Sequence, residues 1–148
     1  MTVKVKPGRG DLERNSRGSM ENLDRLFNPG SMALIGASGT PGKWGFNIFL
    51  NILKAGYQGV IYPVNPRQES ILGFRCYASV RDIPAEIDVA MITTPAGQVS
   101  PLIDECGEKG VPYVVVVTSD FSETGPEGAR LEKETCSFLQ IPSVAIIG

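Results

Sequence analysis

The sequence contains no histidine and only three cysteines among its 148 residues. Without histidine, the chain cannot form a Ser-His-Asp or Cys-His catalytic arrangement, a histidine-ligated zinc site or a phosphohistidine. Cys76, Cys106 and Cys136 stand far apart, in a spacing that fits no metal-binding or redox motif. We therefore predict free thiols, with Cys106 buried on a helix, and neither a metal site nor a catalytic residue in this chain.

Long apolar runs and an excess of charge of one sign are also missing. No run approaches the roughly 20 residues that are needed to cross a bilayer, and the formal net charge is −2. The N-terminal segment is basic but lacks the apolar middle of a secretory signal. The composition indicates no nucleic-acid or membrane partner, and we predict a cytoplasmic location.

Apolar segments of about five residues alternate with amphipathic segments of about 12 residues along most of the chain. We predict strands at 32–35, 60–64, 89–93, 113–117 and 144–147, and helices at 43–55, 98–109 and 126–139. Three shorter elements follow less regular patterns: we predict helical turns at 22–27 and 79–83 and a strand at 75–77. The alternation predicts an α/β protein with a Rossmann-like, doubly wound parallel sheet in a single domain.

The composition also suggests how the chain is divided. Residues 1–19 are polar and without periodicity, and we predict that they form a disordered leader. Residues 20–148 would form the domain. Because the sequence stops directly after a predicted strand, we interpret it as the N-terminal fragment of a larger protein.

A glycine-rich turn follows the first predicted strand and precedes a helix. It reads Gly36-Ala37-Ser38-Gly39-Thr40-Pro41-Gly42, followed by Lys43. Glycines let the backbone approach a ligand closely, and the N–H groups at a helix start point toward an anion. Ligands of doubly wound sheets bind at the carboxyl ends of the strands. The turn is therefore predicted to bind phosphate groups, in a crevice that the strand-end residues 64–67, 93–96 and 118–121 also line.

A nicotinamide dinucleotide is one candidate for this ligand. Its fingerprint is G-x-G-x-x-G, with an acidic residue at the end of the second strand for the ribose hydroxyls. Here Gly36, Gly39 and Gly42 are spaced G-x-x-G-x-x-G, and the second strand is followed by Asn65-Pro66-Arg67. The pattern disfavours NAD, although Arg67 could contact a ribose phosphate as in NADP binding.

Four segments together are more specific than the glycine turn. They are LFNPGSMALIGASGTPGKWGFNIFLNIL, GVIYPVNP, ILGFRCYASVRDIPAEIDVAMITTPA and VVVVTSDFSETG. In this order they resemble the CoA-binding domain of ADP-forming acyl-CoA synthetases, which is similar to the N-terminal part of the succinyl-CoA synthetase alpha subunit. The resemblance extends over about Leu23 to Gly148.

The resemblance implies that the crevice holds coenzyme A. It matches Ser38, Gly39, Thr40, Pro41 and Gly42 to the loop around the CoA phosphates, and Asn65, Pro66 and Arg67 to the adenosine end. It matches Thr94, Pro95 and Ala96 to a turn against the ligand, and Thr118, Ser119 and Asp120 to the segment near the pantetheine arm. Lys43 and Arg67 would supply positive charge for the phosphates.

The resemblance further implies that the parent protein makes acyl-CoA from an acid, CoA and ATP, and releases ADP. Its expected partners are a phosphohistidine-bearing domain and an ATP-grasp domain, while this domain positions the CoA thiol and has no turnover alone. A CoA-binding regulatory part of a multidomain acetyltransferase, a stand-alone CoA-sensing module and an NAD(P)-binding domain remain as alternatives.

Overall fold

The computed structural model describes residues 24–117 in full, together with the backbone of residues 4–5 and 143–147. The strands are β1 (Lys4–Val5), β2 (Ser31–Ile35), β3 (Val60–Val64), β4 (Ser70–Ile71), β5 (Phe74–Arg75), β6 (Val89–Ile92), β7 (Tyr113–Val117) and β8 (Ser143–Ile147). The longer helices are α1 (Trp44–Lys54) and α2 (Val99–Lys109), and 3₁₀ turns occur at Val80–Asp82 and Ala96–Gln98. Residues 24–27 are also helical.

Six of these strands form one sheet in the order β1-β8-β7-β6-β2-β3. All neighbours are parallel except β1, which runs antiparallel to β8. The chain leaves β2 toward β3 on one side and returns to β6 on the other side. The carboxyl ends of β2 and β6 therefore flank the point where the strand order reverses, which is the usual ligand position in such sheets.

The two longer helices cover opposite faces of the sheet. Ala33 and Ile35 of β2 pack in one cluster with residues of α2, whereas Leu34 packs with Phe49 of α1 in the other. This follows from the alternation of side chains along a strand. The valines of β7 are likewise divided between both faces and largely buried, as expected for an interior parallel strand. The predicted α/β doubly wound sheet is thus confirmed.

The buried face of α1 differs from the predicted one. Phe46, Phe49, Leu50 and Leu53 stand at i, i+3, i+4 and i+7 in the sequence, a spacing that predicts one apolar helix face. In the structure Gly45 and Phe49 are buried, with Ile48, Ile52 and Leu53 packed beside them, while Phe46 and Leu50 are only half-buried. The helix is rotated because Gly45 has no side chain and allows the helix backbone to approach β2.

The segment between β3 and β6 is less regular, and here the predictions were only partly right. The predicted strand at 75–77 is instead the hairpin of β4 and β5, with Tyr77 forming a single parallel bridge to Val64. The predicted turn at 79–83 is a 3₁₀ turn that Ser79 and Asp82 close with a reciprocal capping box.

The predicted helix at 126–139 and most of the predicted leader lie outside the described residues. None of the described helices is long and apolar enough to cross a membrane.

Cys76 and Cys106 are both free and buried, and Cys106 has no exposed surface on α2. Burial, with a smaller effect from the charge of Glu105, raises the pKa of Cys106 from 9.0 to about 12. Burial also raises the pKa of Cys76. Both thiols are therefore protonated at neutral pH, and neither has the character of a nucleophile.

We expect the protein to lose stability above pH 9, because unfolded Cys106 ionises there while folded Cys106 does not. The raised pKa stabilises the folded state fully below pH 9.0, and this contribution is lost as the pH approaches about 12. Between about pH 8 and about pH 10.5, the free energy of unfolding should fall by about 2 kcal/mol more in the natural chain than in Cys106→Ala. Urea unfolding followed by circular dichroism measures this difference. Equal pH dependence in the two proteins would contradict it.

Candidate functional site

The glycine turn between β2 and α1 has a backbone that other residues adopt only with strain. Gly36 and Gly42 have φ values of 89° and 86°, in the left-handed region. A Cβ atom on Gly36 would also lie 2.8 Å from Thr93 Oγ1 and 2.9 Å from Thr94 Cγ2. Gly36 therefore allows the end of β2 to lie directly against the residues that follow β6.

Gly45 is the sterically strictest glycine of this region, and the sequence analysis did not single it out. A Cβ atom there would lie 2.0 Å from the carbonyl oxygen of Gly36. Gly39, by contrast, has no positive φ, and its added Cβ would be 3.5 Å or more from other atoms. Close helix–strand packing is the role of the last glycine in dinucleotide-binding turns. The sequence did contain a signal for this role, because Gly45 continues the three-residue spacing of Gly36, Gly39 and Gly42.

The start of α1 offers several unpaired hydrogen-bond donors. Lys43 is the N-cap residue, it makes no side-chain capping bond, and the first turn contains no acidic residue. Within the described part of the chain, the N–H groups of Ser38, Gly42, Trp44 and Gly45 find no acceptor. Free N–H groups and the helix dipole together attract an anion.

The charge around these donors is positive. Lys43 and Arg67 are exposed, and neither takes part in the ion pairs that the described residues form. Segments 36–43 and 65–68 contain no acidic residue. The site thus combines neutral N–H donors with two cationic side chains, a combination that suits phosphate groups.

The turn after β3 is joined directly to the glycine turn. Asn65 Nδ2 donates to the Ala37 carbonyl oxygen over 2.8 Å, and Asn65 Oδ1 accepts from the Arg67 N–H over 2.9 Å. Pro66 and Arg67 are exposed beside it. Both polar atoms of the Asn65 side chain are therefore engaged within the protein, and its described role is to hold two loops together.

The residues after β6 complete the described part of the site. Thr93 is buried, and its N–H and hydroxyl both donate to the Ile35 carbonyl oxygen, over 2.8 and 3.0 Å. Thr94 Oγ1 is buried and has no hydrogen-bond partner among the described residues. Ala96 is buried in the 3₁₀ turn that Pro95 begins. A buried hydroxyl without a partner is costly in a folded protein, so Thr94 is a candidate ligand contact.

Three of the four predicted segments therefore meet at one edge of the sheet. They are the glycine turn, residues 65–67 and residues 94–96. Thr118, Ser119 and Asp120 lie outside the described residues, so their place at the site stays a prediction. Gln68, which accepts a hydrogen bond from Gly39, was not foreseen.

Coenzyme A fits the residues that are present. Its phosphate groups suit the free donors of α1 and the two cationic side chains, and the Thr94 hydroxyl has no hydrogen-bond partner among the described residues. Residues 65–68, directly after β3, contain no carboxylate for the ribose hydroxyls of a nicotinamide dinucleotide. The donor set thus favours a phosphorylated ligand that needs no acidic partner.

A family model described as a CoA binding domain matches residues 30–139. The chain belongs to this family, and the predicted resemblance and the predicted ligand, coenzyme A, are confirmed.

Among its relatives are ADP-forming ligases of archaea. It is 47% identical over 126 residues to acetate–CoA ligase [ADP-forming] II subunit alpha of Pyrococcus furiosus, covering 85% of this chain and 27% of the relative. It is 44% identical over 130 residues to acetate–CoA ligase [ADP-forming] II of Archaeoglobus fulgidus, covering 88% of this chain and 19% of the relative. The chain thus corresponds to only a minor part of these ligases.

Solved structures agree with this assignment. PH0766 from Pyrococcus horikoshii OT3 matches with a TM-score of 0.76 and 46% identity, over 85% of this chain and 29% of that one. The dinucleotide-forming acetyl-coenzyme A synthetase 1 of Ca. Korarchaeum cryptofilum, in complex with phosphate and ADP, matches with a TM-score of 0.71 and 44% identity, over 76% of this chain and 24% of that one.

Proposed function

We propose that this domain is the coenzyme A site of an ADP-forming acyl-CoA synthetase, which converts an acid, CoA and ATP into acyl-CoA, ADP and phosphate. The observation that carries the proposal is the uncapped start of α1 beside Lys43 and Arg67, at the point where the strand order reverses. The ligases to which the chain is 47% and 44% identical support the reaction class.

Within such an enzyme, the residues of this domain bind and orient the ligand. When bound, coenzyme A supplies the thiol that accepts the acyl group. The chain contains no histidine, so the phosphohistidine of the proposed enzyme belongs to another part of it. The proposal assigns ATP binding to a separate ATP-grasp domain. Holding the thiol at a fixed position lowers the entropic cost of the transfer. A cytoplasmic location is part of the same proposal.

Calorimetric titration with CoA, NAD⁺ and NADP⁺ tests the proposal. We expect CoA to bind and both dinucleotides to remain silent, because the glycines are spaced G-x-x-G-x-x-G instead of G-x-G-x-x-G, and residues 65–68, directly after β3, contain no acidic residue. Dephospho-CoA, which lacks the 3′-phosphate, should bind more weakly than CoA. Binding of a nicotinamide dinucleotide with no response to CoA would overturn the assignment. The chain alone should form no ADP from acetate, CoA and ATP.

A further inference from the structure

Two carboxamide side chains hold the glycine turn on either side of Ser38. Asn65 Nδ2 donates to the Ala37 carbonyl oxygen over 2.8 Å, and Gln68 Oε1 accepts from the Gly39 N–H over 3.0 Å. Both side chains come from the turn after β3. We call this pair, Asn65 and Gln68, the carboxamide clamp.

The clamp rests on a backbone that is itself fixed. Asn65 N–H donates to the Tyr77 carbonyl oxygen over 2.9 Å, and Gln68 N–H donates to the Asn65 carbonyl oxygen over 3.3 Å. Three residues after Gln68, Ile71 is almost fully buried in the cluster beneath α1. Gln68 therefore projects from a turn that is tied to the sheet at one end and to the core at the other.

The glycine turn needs such support because its own sequence is flexible. Glycine has more backbone freedom to lose than any other residue, and a loop that is ordered only by its ligand weakens binding. Gln68 occupies the N–H of Gly39, while the N–H groups of Gly42, Trp44 and Gly45 have no acceptor among the described residues. The donors are thus divided between one that fixes the turn and others that are left for an anion.

We propose that Gln68 is a positioning residue for the phosphate-binding turn, which it holds in the ligand-binding conformation through the Gly39 N–H. It acts without touching the ligand. This inference rests on the proposed function, since it assumes that the free donors bind the phosphates of coenzyme A. It gives a role to a residue that lies outside every predicted ligand-contact segment.

The first test compares Gln68→Leu with Gln58→Leu in the 148-residue chain. Leucine keeps the size of glutamine but has no acceptor. Gln58 also makes a hydrogen bond to a loop carbonyl, that of Gly56, beyond the far end of α1. By calorimetry, Gln68→Leu should bind CoA about threefold to tenfold more weakly, as expected for one lost hydrogen bond, and Gln58→Leu should bind as the natural chain does. Equal affinity of Gln68→Leu and the natural chain would overturn the inference.

The second test needs no ligand. The Gly39 amide should exchange with solvent about tenfold faster or more in Gln68→Leu, measured by NMR, and should remain protected in Gln68→Glu, which keeps an acceptor oxygen. Unchanged protection in Gln68→Leu would refute the positioning role. If the natural chain bound no CoA while the exchange results held, the proposed function would fail and the clamp itself would stand.

Discussion

Replacing Gly45 with alanine is expected to lower the free energy of unfolding by at least about 3 kcal/mol, because the added methyl group has no room. Its carbon would lie 2.0 Å from the carbonyl oxygen of Gly36, which is backbone and cannot turn away. α1 would have to move away from β2, and Phe49, which is fully buried between them, would lose contacts. The free donors at the helix start would move as well, so CoA affinity should fall together with stability.

Gly97→Ala is the matched control for this change. Gly97 lies in the 3₁₀ turn Ala96–Gln98, and a Cβ atom there would meet nothing within 4 Å. We expect its free energy of unfolding to stay within about 0.5 kcal/mol of the natural chain. Urea unfolding followed by circular dichroism measures both variants. If Gly45→Ala were as stable as Gly97→Ala, α1 would not approach β2 as described.

The strands that carry the site could be predicted because particular residue types mark where they end. β3 and β7 were predicted with their exact ends, since β3 stops before Asn65-Pro66 and the largely buried valine run of β7 stops after Val117. The hairpin of β4 and β5 was not predicted, since strands of two residues show no periodicity. Its turn also places Leu72 at a φ of 51°, where sequence rules expect asparagine or glycine.

The roles of individual site residues were harder to predict than the place of the site. Spacing alone marked Gly36, Gly39 and Gly42 equally. The position that least tolerates a side chain is Gly45, and only its distance to the Gly36 carbonyl oxygen in the structure shows this. Asn65 was matched to the adenosine end of the ligand, which stays a prediction, and the structure shows that its side chain also joins two loops. Hydrogen bonds between segments that are 28 and 29 residues apart leave no local pattern in a sequence.

Lys43→Asp should change stability and affinity in opposite directions. Lys43 has the extended backbone of an N-cap residue, with φ −76° and ψ 147°, but makes no capping bond. Aspartate is a preferred N-cap residue, and its carboxylate would accept from the free N–H groups of the first turn, which should raise the free energy of unfolding by about 0.5–1 kcal/mol. The same carboxylate would occupy the phosphate donors and replace a cation by an anion. CoA affinity should therefore fall about 30-fold or more.

Lys54→Asp separates this effect from a general change in net charge. Lys54 lies in the last turn of the same helix, at the end where the dipole favours a cation. We expect the free energy of unfolding of this variant to fall by a few tenths of a kcal/mol, about the size of one exposed interaction between a charge and the helix dipole. Its CoA affinity should be unchanged. Urea unfolding and calorimetry in one buffer give both quantities for each variant. A Lys43→Asp protein that is more stable yet binds CoA normally would show that the phosphates lie away from the start of α1, because the new carboxylate would then occupy donors that the ligand does not use.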